Sequence, residues 1–292
     1  MKSILVIGGT GTVGRQVVGQ LVDAGERVRA LVRKADIARL PSEVEIFSGD
    51  LTRPETLDAG VLEGVDAVFL VWTAPAETVG RVLERLVRHA PRIVFLSSPY
   101  KTQHPFFQAA QPNPLSALHA QIEGIIEKSG RECAFVRPGM FAANWLHMWA
   151  PRIRAGADAI RWPYADAMTA PVDERDIAAV AVRALCDDGH ASQEYLVTGP
   201  ESLSQAEQLA IIGEVVGRPL RFEELSPEQA MVELPGGLPP PVMQMLLRAW
   251  SGAVGQPALV TQTVEPVTGK PARTFREWAS EHAAEFGRIG RS

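Results

Sequence analysis

The chain has 292 residues, 46% of them hydrophobic and 22% charged, with a formal net charge of −5. This is the composition of an ordinary soluble globular protein with one large domain or two unequal ones, and the acidic balance argues against general nucleic-acid binding. No apolar run approaches the ~20 residues that span a bilayer, and no signal-like segment precedes "KSILVIGG", so a cytoplasmic protein is expected. Cys133 and Cys186 sit in apolar runs without ligand spacing, which predicts reduced core thiols and no metal site.

Strand-like runs alternate with helix-period segments through the first half. The chain opens with "SILVIG", turns through a glycine cluster and continues as an amphipathic helix in "VGRQVVGQLVDAG", with Val13, Val17, Val18, Leu21 and Val22 on its apolar side. "RVRALVR", "VEIFSGD", "DAVFLVW", "RIVFLSS" and "CAFVRPG" read as further strands. Helical segments are expected between them at "ADIARL", "PETLDAGVLEG", "ETVGRVLERLVRHA" and "LHAQIEGIIEKSG". Strands this apolar are covered on both faces, so the repeat predicts an α/β fold over residues 1–150, a Rossmann-type doubly wound parallel sheet.

After Gly139 the pattern turns helical. "NWLHMWAPRIRAG" reads as one helix, "AIRWPYADAMTAPV" as irregular chain with short strands, and Asp173 as the N-cap of a helix that ends at Asp-Asp-Gly. "QEYLVTG" reads as a strand, so 173–200 is expected to return to the main sheet. The remainder of 151–292 is expected to form a smaller, α-rich substrate lobe. Capping boxes at Ser204/Glu207 and Ser226/Gln229 open two of its helices, with more in "PPVMQMLLRAWSGAVG" and "TFREWASEHAAEF". The loop "LPGGLPPP" is the segment most punctuated for mobility.

Gly9, Gly11 and Gly14 satisfy G-x-G-x-x-G, and Gly8, Gly11 and Gly14 satisfy G-x-x-G-x-x-G, between the first strand and the first helix. In that context the pattern makes a pyrophosphate cradle: a tight turn, a close backbone approach and a helix N-terminus. Its residues would be Gly8, Thr10, Gly11, Thr12, Val13 and Gly14. About 20 residues further on, where an NAD-selective site places a carboxylate, stand Arg33 and Lys34. Their charges suit a 2′-phosphate, so NADP(H) is favoured over NAD(H), with nearby Asp36 the residue that speaks for NAD(H).

These features resemble the NmrA-like family, a branch of the atypical short-chain dehydrogenase/reductase (SDR) superfamily. The resemblance runs through "GGTGTVGR", "GDL", "FLSS", "HAQIEGIIEKSG", "RPGMFAANW", "VDERDIA" and "YLVTGPESLSQAEQ" in order along most of the chain. It implies Asp50 and Leu51 beside the adenine and Val71, Trp72 and Thr73 beside the ribose. Ser97, Ser98 and Pro99 would lie beside the nicotinamide, with Pro138 and Gly139 closing its pocket. It also exposes a departure: the Tyr-x-x-x-Lys of extended members falls on Leu115 and His119, and leucine transfers no proton.

His119, as a weak acid or ribose contact, and Tyr100 are therefore the candidate catalytic groups, with His104 in "YKTQHPFFQ" a more remote one. Their bland alternatives are a solvated helix-surface histidine and an aromatic anchor for the loop. Glu123 is read as structural and bonded to backbone, and Arg137 as paired with a carboxylate. Phe106, Phe107, Met140, Phe141, Asn144, Trp145, Met148, Trp149, Trp162 and Tyr164 are the candidate substrate pocket, with plain core as their alternative.

The leading expectation is an NADPH-dependent oxidoreductase acting on an apolar or aromatic quinone, enone or carbonyl compound. Acceptors that spread charge need less help from a protein acid. The alternatives are an NADP(H)-binding redox sensor without turnover, and a dehydratase or isomerase that retains its cofactor. No nucleic-acid or membrane partner is expected, and a homodimer is left open.

Overall fold

The computed structural model describes residues 1–34, 39–111, 113–234 and 239–287. Most of the helix expected at "ADIARL", Asp36 within it, and the centre of "LPGGLPPP" lie outside the described residues.

Strands β1 (Ser3–Ile7), β2 (Arg27–Val32), β3 (Glu45–Ser48), β4 (Ala67–Val71), β5 (Arg92–Leu96) and β6 (Glu132–Pro138) form the main sheet. They are followed by β7 (Ala159–Pro163), β8 (Met168–Thr169) and β9 (Gln193–Val197). β9 returns to pair with β6, giving a parallel seven-stranded order β3-β2-β1-β4-β5-β6-β9. Two short pairs, β8 with β10 (Leu203–Ser204) and β7 with β11 (Arg221–Leu225), belong to the second half.

The pleat sorts the side chains. Ile4 and Val6 of β1 enter one apolar layer, Leu5 and Ile7 the other. Helix α1 (Thr12–Asp23) presents Val17 and Leu21 to the first layer. On the opposite face, α2 (Ala59–Leu62) and α3 (Val79–His89) contribute Val61, Val82 and Leu86. Helix α4 (Pro105–Ala109) lies above the carboxyl edge, and α5 (Pro114–Lys128) adds Ile122 and Ile126 to the second layer. "PETLDAGVLEG" yields only a tight turn at Pro54–Thr56 and the single turn of α2. There the Asp58 side chain takes the Val61 amide and restarts the helix instead of continuing it.

"NWLHMWAPRIRAG" is two helices, α6 (Asn144–Met148) and α7 (Ala150–Arg154), because Pro151 lacks the N–H that would continue the first. Helix α8 (Glu174–Cys186), capped by the Asp173 side chain, packs on α1 and completes the first layer.

Helices α9 (Gln205–Val216), α10 (Pro227–Glu233) and α11 (Pro240–Ser251) surround a third core. Trp145 stacks on Trp149 at 3.6 Å, and Trp162 meets both edge-on at 6.1 Å and Trp250 at 5.5 Å. The chain ends in α12 (Val264–Thr268) and α13 (Phe275–Glu281), the latter opened by a third capping box, Thr274 with Glu277. The "VDERDIA" stretch clasps this end. Asp173 accepts from Arg273 Nε at 2.7 Å, Asp176 from the Arg273 amide at 2.7 Å, and Glu174 from Trp278 Nε1 at 3.1 Å.

Candidate active site

The strand order reverses between β1 and β4, and the glycine turn stands at that point on the carboxyl edge, where open α/β sheets bind ligands. Gly8 has φ +90°, and a Cβ on it would lie 2.8 Å from Val71 Cβ. A Cβ on Gly14 would lie 2.1 Å from the Gly8 carbonyl oxygen, so only glycine lets α1 sit this close to the turn. Gly11 differs: its Cβ would meet nothing nearer than the Gly8 oxygen at 3.4 Å, which leaves open space on its face. Gly11 caps α1 without a side-chain hydrogen bond, and the first turn, from Thr12 and Val13, holds no acidic residue. The positive helix end is thus unspent, and the cradle fits a pyrophosphate.

Arg33 and Lys34 are exposed where β2 ends. A third cation stands here that the strand pattern does not mark. Arg15 donates from Nε to the Thr10 carbonyl at 2.9 Å and from Nη1 to the Arg39 carbonyl at 3.4 Å, which sets its guanidinium at the same edge. Its signal was the arginine that ends "GGTGTVGR". Asp50 accepts from the Thr52 amide at 2.8 Å, and that bond, aided by Arg33 and Arg53, holds its carboxyl below the usual range. Leu51 and Trp72 turn their side chains into the second apolar layer, and the indole N–H of Trp72 is spent on the Ala74 carbonyl at 2.6 Å. Their place beside a cofactor would thus rest on backbone. Val71 packs against Gly8, while Thr73 is exposed.

Beyond β5 and β6 the site holds orphaned polar atoms. Ser97 Oγ, Ser98 Oγ and His119 Nδ1 are buried with no hydrogen-bond partner among the described residues, and the His119 ring stands edge-on to Phe95 at 5.3 Å. Each such atom costs ~1–3 kcal/mol unless something bonds it, so the group fits the polar atoms of a ribose or a carboxamide. Pro99 is half-buried beside them, and Pro138 is buried at the end of β6.

Three expectations for this region are corrected. His119 is 8% exposed, not a solvated surface residue, and burial pulls its pKa down to about 4 against a smaller opposing pull from Glu123. Its ring is therefore neutral near pH 7 and a poor acid. Tyr100 donates its hydroxyl to Glu123 Oε2 at 2.6 Å, and burial together with that carboxylate pushes the phenol far above its ordinary range. Its proton is committed to the protein. Glu123 is bonded to side chains, not backbone: Arg137 reaches it from Nε at 2.9 Å and from Nη2 at 2.5 Å. Arg137 also bonds Glu194, which Lys101 joins at 2.9 Å, so the network anchors the loop after β5 to α5, β6 and β9.

A small cavity of about 20 Å³ lies between the end of β6 and α4. Gly139, Met140, His104, Phe106 and Phe107 form one side of it, while β8, Thr198 and the segment Ala258–Leu259 close the other. The contributions from β8 and from 258–259 were missed, since neither segment has a periodic pattern. Trp145, Trp149 and Trp162 are corrected to core: they are 0%, 0% and 3% exposed within the tryptophan stack. Phe141 bridges to Val172 and packs on the first layer, and Asn144 is half-buried at the start of α6. Tyr164 faces a different, open cleft with Met231, Leu247 and Arg248. Among the described residues no cluster of His, Cys, Asp or Glu could hold a metal, and no helix is long and apolar enough to cross a membrane.

Compared with known proteins, the NmrA-like family profile matches residues 1–277. The chain is 40% identical to the (4-alkanoyl-5-oxo-2,5-dihydrofuran-3-yl)methyl phosphate reductase of Streptomyces griseus, across 97% of this chain and 99% of that one. It is 38% identical, over the same shares, to the NAD(P)H azoreductase of Xenophilus azovorans. Among solved structures, the Citrobacter sp. triphenylmethane reductase complexed with NADP(H) shares the fold. Its TM-score is 0.78 at 19% identity, across 96% of this chain and 99% of that one.

Proposed function

The chain belongs to the NmrA-like family, and on that premise we propose that it is an NADPH-dependent reductase that adds hydride to an activated double bond of a planar, largely apolar acceptor. The observation that carries this reading is the pair of relatives at 40% and 38% identity, both spanning the chain and both bearing a reductase's name. The substrate named for the first holds a ring double bond with two carbonyls on one of its carbons, and the second is named for azo compounds. In both groups, resonance spreads the charge that hydride addition leaves. That suits a site with Leu115 at the place of the usual proton-donating tyrosine.

The chain's own residues divide the work. Gly11 and the open first turn of α1 would hold the pyrophosphate, and Arg33, Lys34 and Arg15 the 2′-phosphate. Ser97, Ser98 and His119 would bond the nicotinamide ribose and carboxamide, which relieves their unpartnered burial. When bound, NADPH supplies the hydride. Phe107, Met140 and Leu259 would hold the acceptor's face and keep water from it.

The test is NADPH consumption by the purified protein with menadione, an azo dye and α-acetylbutenolide. Oxidation with at least one acceptor, faster with NADPH than with NADH, is expected. Tight NADPH binding with no oxidation by any of them would overturn the reading and leave dinucleotide sensing in its place.

A further inference from the structure

We propose that the open cleft between α10 and α11 is a second binding site, one that takes a small amphipathic anion: an apolar body carrying a single carboxylate or phosphate. The site goes beyond the reductase reading and does not depend on it.

The cleft holds about 640 Å³, within the ~300–1,000 Å³ of small-molecule sites. One wall is a single face of α11, where Gln244, Leu247, Arg248 and Ser251 stand at i, i+3, i+4 and i+7. Met231 of α10 and the ring of Tyr164 supply further walls. Helix α4 gives Ala109 to this cleft and Phe106 and Phe107 to the small cavity beside β6, and the two spaces share no lining residue.

Tyr164 is held here at a cost. Its φ is +58°, a left-handed backbone that a bulky residue adopts only when its surroundings impose it. Gln205, 0% exposed, imposes it: Nε2 donates to the Pro163 carbonyl at 3.2 Å and to the Tyr164 carbonyl at 3.0 Å. The Ala167 amide donates to the same Tyr164 oxygen at 3.0 Å. Glycine would make this turn without strain, so what the strain retains is the phenol ring in the cleft. Its hydroxyl bonds no other described residue.

The charges select the ligand. Arg248 is exposed and forms no ion pair or hydrogen bond with another described residue. Glu228, the acid that also lines the cleft, is engaged at its own helix end. It accepts from the Ser226 hydroxyl at 2.8 Å, and that bond, aided by backbone, holds its carboxyl below the usual range. With a net charge of −5 the chain has no general field that draws anions, so the attraction must be local. A guanidinium matches the paired oxygens of a carboxylate or phosphate, and the phenol adds a further donor. Leu247 and Met231 would cover the apolar body.

The experiment is calorimetric titration of the full chain, saturated with NADPH to block the cofactor cradle, with four probes of one length: octanoate, octyl phosphate, octanol and octylamine. The two anions should bind one per chain and about tenfold more tightly than octanol, with octylamine weakest. The tighter anion identifies the head group. Arg248→Met should weaken both anions about five- to tenfold, leave octanol unchanged and keep the wild-type Tm, since Arg248 is exposed. Should R248M not fold, R248Q takes its place. Tyr164→Phe should weaken the anions about threefold. No saturable binding, anions no tighter than octanol, octylamine tightest, or R248M equal to wild type each overturns the proposal. So does anion binding seen only without NADPH, which would belong to the cradle instead.

Discussion

Removing the Arg137 guanidinium while leaving Glu123 should be far more damaging than removing both charges together. Glu123 is 1% exposed and Arg137 5%, and they share two hydrogen bonds of 2.9 and 2.5 Å. Arg137→Met keeps most of the volume but strands the carboxylate, with only the Tyr100 hydroxyl at 2.6 Å and Lys101 at 3.8 Å to compensate. Breaking a buried pair in this way costs ~3–5 kcal/mol. At roughly 2–4 °C per kcal/mol for a chain of this order, Tm should fall by about 10 °C. Glu123→Leu should cost less, because Arg137 keeps Glu194. The double variant leaves no unpaired charge at the centre and forfeits mainly the Tyr100 bond, worth ~1 kcal/mol. Urea unfolding of the four proteins should therefore yield a coupling energy of about 2 kcal/mol or more. Losses that add within ~0.5 kcal/mol would refute the reasoning, since independent sites behave that way.

The glycine turn separates fold from binding. Gly14→Ala, with its Cβ 2.1 Å from backbone, should lower stability by ~1–3 kcal/mol and abolish NADPH binding. Gly11→Ala, with nothing nearer than 3.4 Å, should keep its Tm and lose affinity alone, as thermal scans and quenching titrations would show. Replacing Arg33 and Lys34 by alanine should weaken NADPH about 10–100-fold while sparing NADH, and should flatten the salt dependence of binding. Gly252→Ala would set a Cβ 2.8 Å from Ala109 Cβ and 2.9 Å from the Pro105 carbonyl oxygen. This pushes α4 outward, so acceptor KM should rise with cofactor affinity unchanged. Burial lifts the Asp176 carboxyl to about 6, so the fold gains stability below the ordinary carboxylate range and loses it as pH rises through that value. Asp176→Asn should remove this slope between about pH 4 and about pH 6 in denaturant titrations.

What the sequence could reveal follows from the range of the interactions involved. The strands and the cradle are local: Ile4 to Ile7 alternate between layers by pleat alone, and Gly14 is demanded by a contact six residues back. The tryptophans are the opposite case. Trp145 and Trp149 lie on neighbouring turns, but whether they line a pocket or fill a core depends on Trp162 and Trp250, which arrive from distant segments. Proximity to the cofactor edge put Tyr100 among the candidates, yet its role depends on Glu123, whose carboxylate holds the phenolic proton. The break at Trp149 was readable in advance, because Pro151 stood in plain view inside the expected helix.

This division has a chemical consequence. The proposed cofactor side of the site is built on strand ends, each held by its neighbours in the sheet, and Gly14 there tolerates no added atom against backbone. The proposed acceptor side is built on α4, β8 and the 257–259 segment, none of which belongs to the main sheet. α4 is a five-residue helix held by the two hydrogen bonds of His104 and by its contact with the end of α11. Substitutions there can reshape the cavity without disturbing the cradle. Relatives of nearly equal identity to this chain bear the names of a butenolide-phosphate reductase and an azoreductase. Acceptor identity in this chain should accordingly reside in α4 and the segment that His104 ties to it, not in the glycine turn that marks the family.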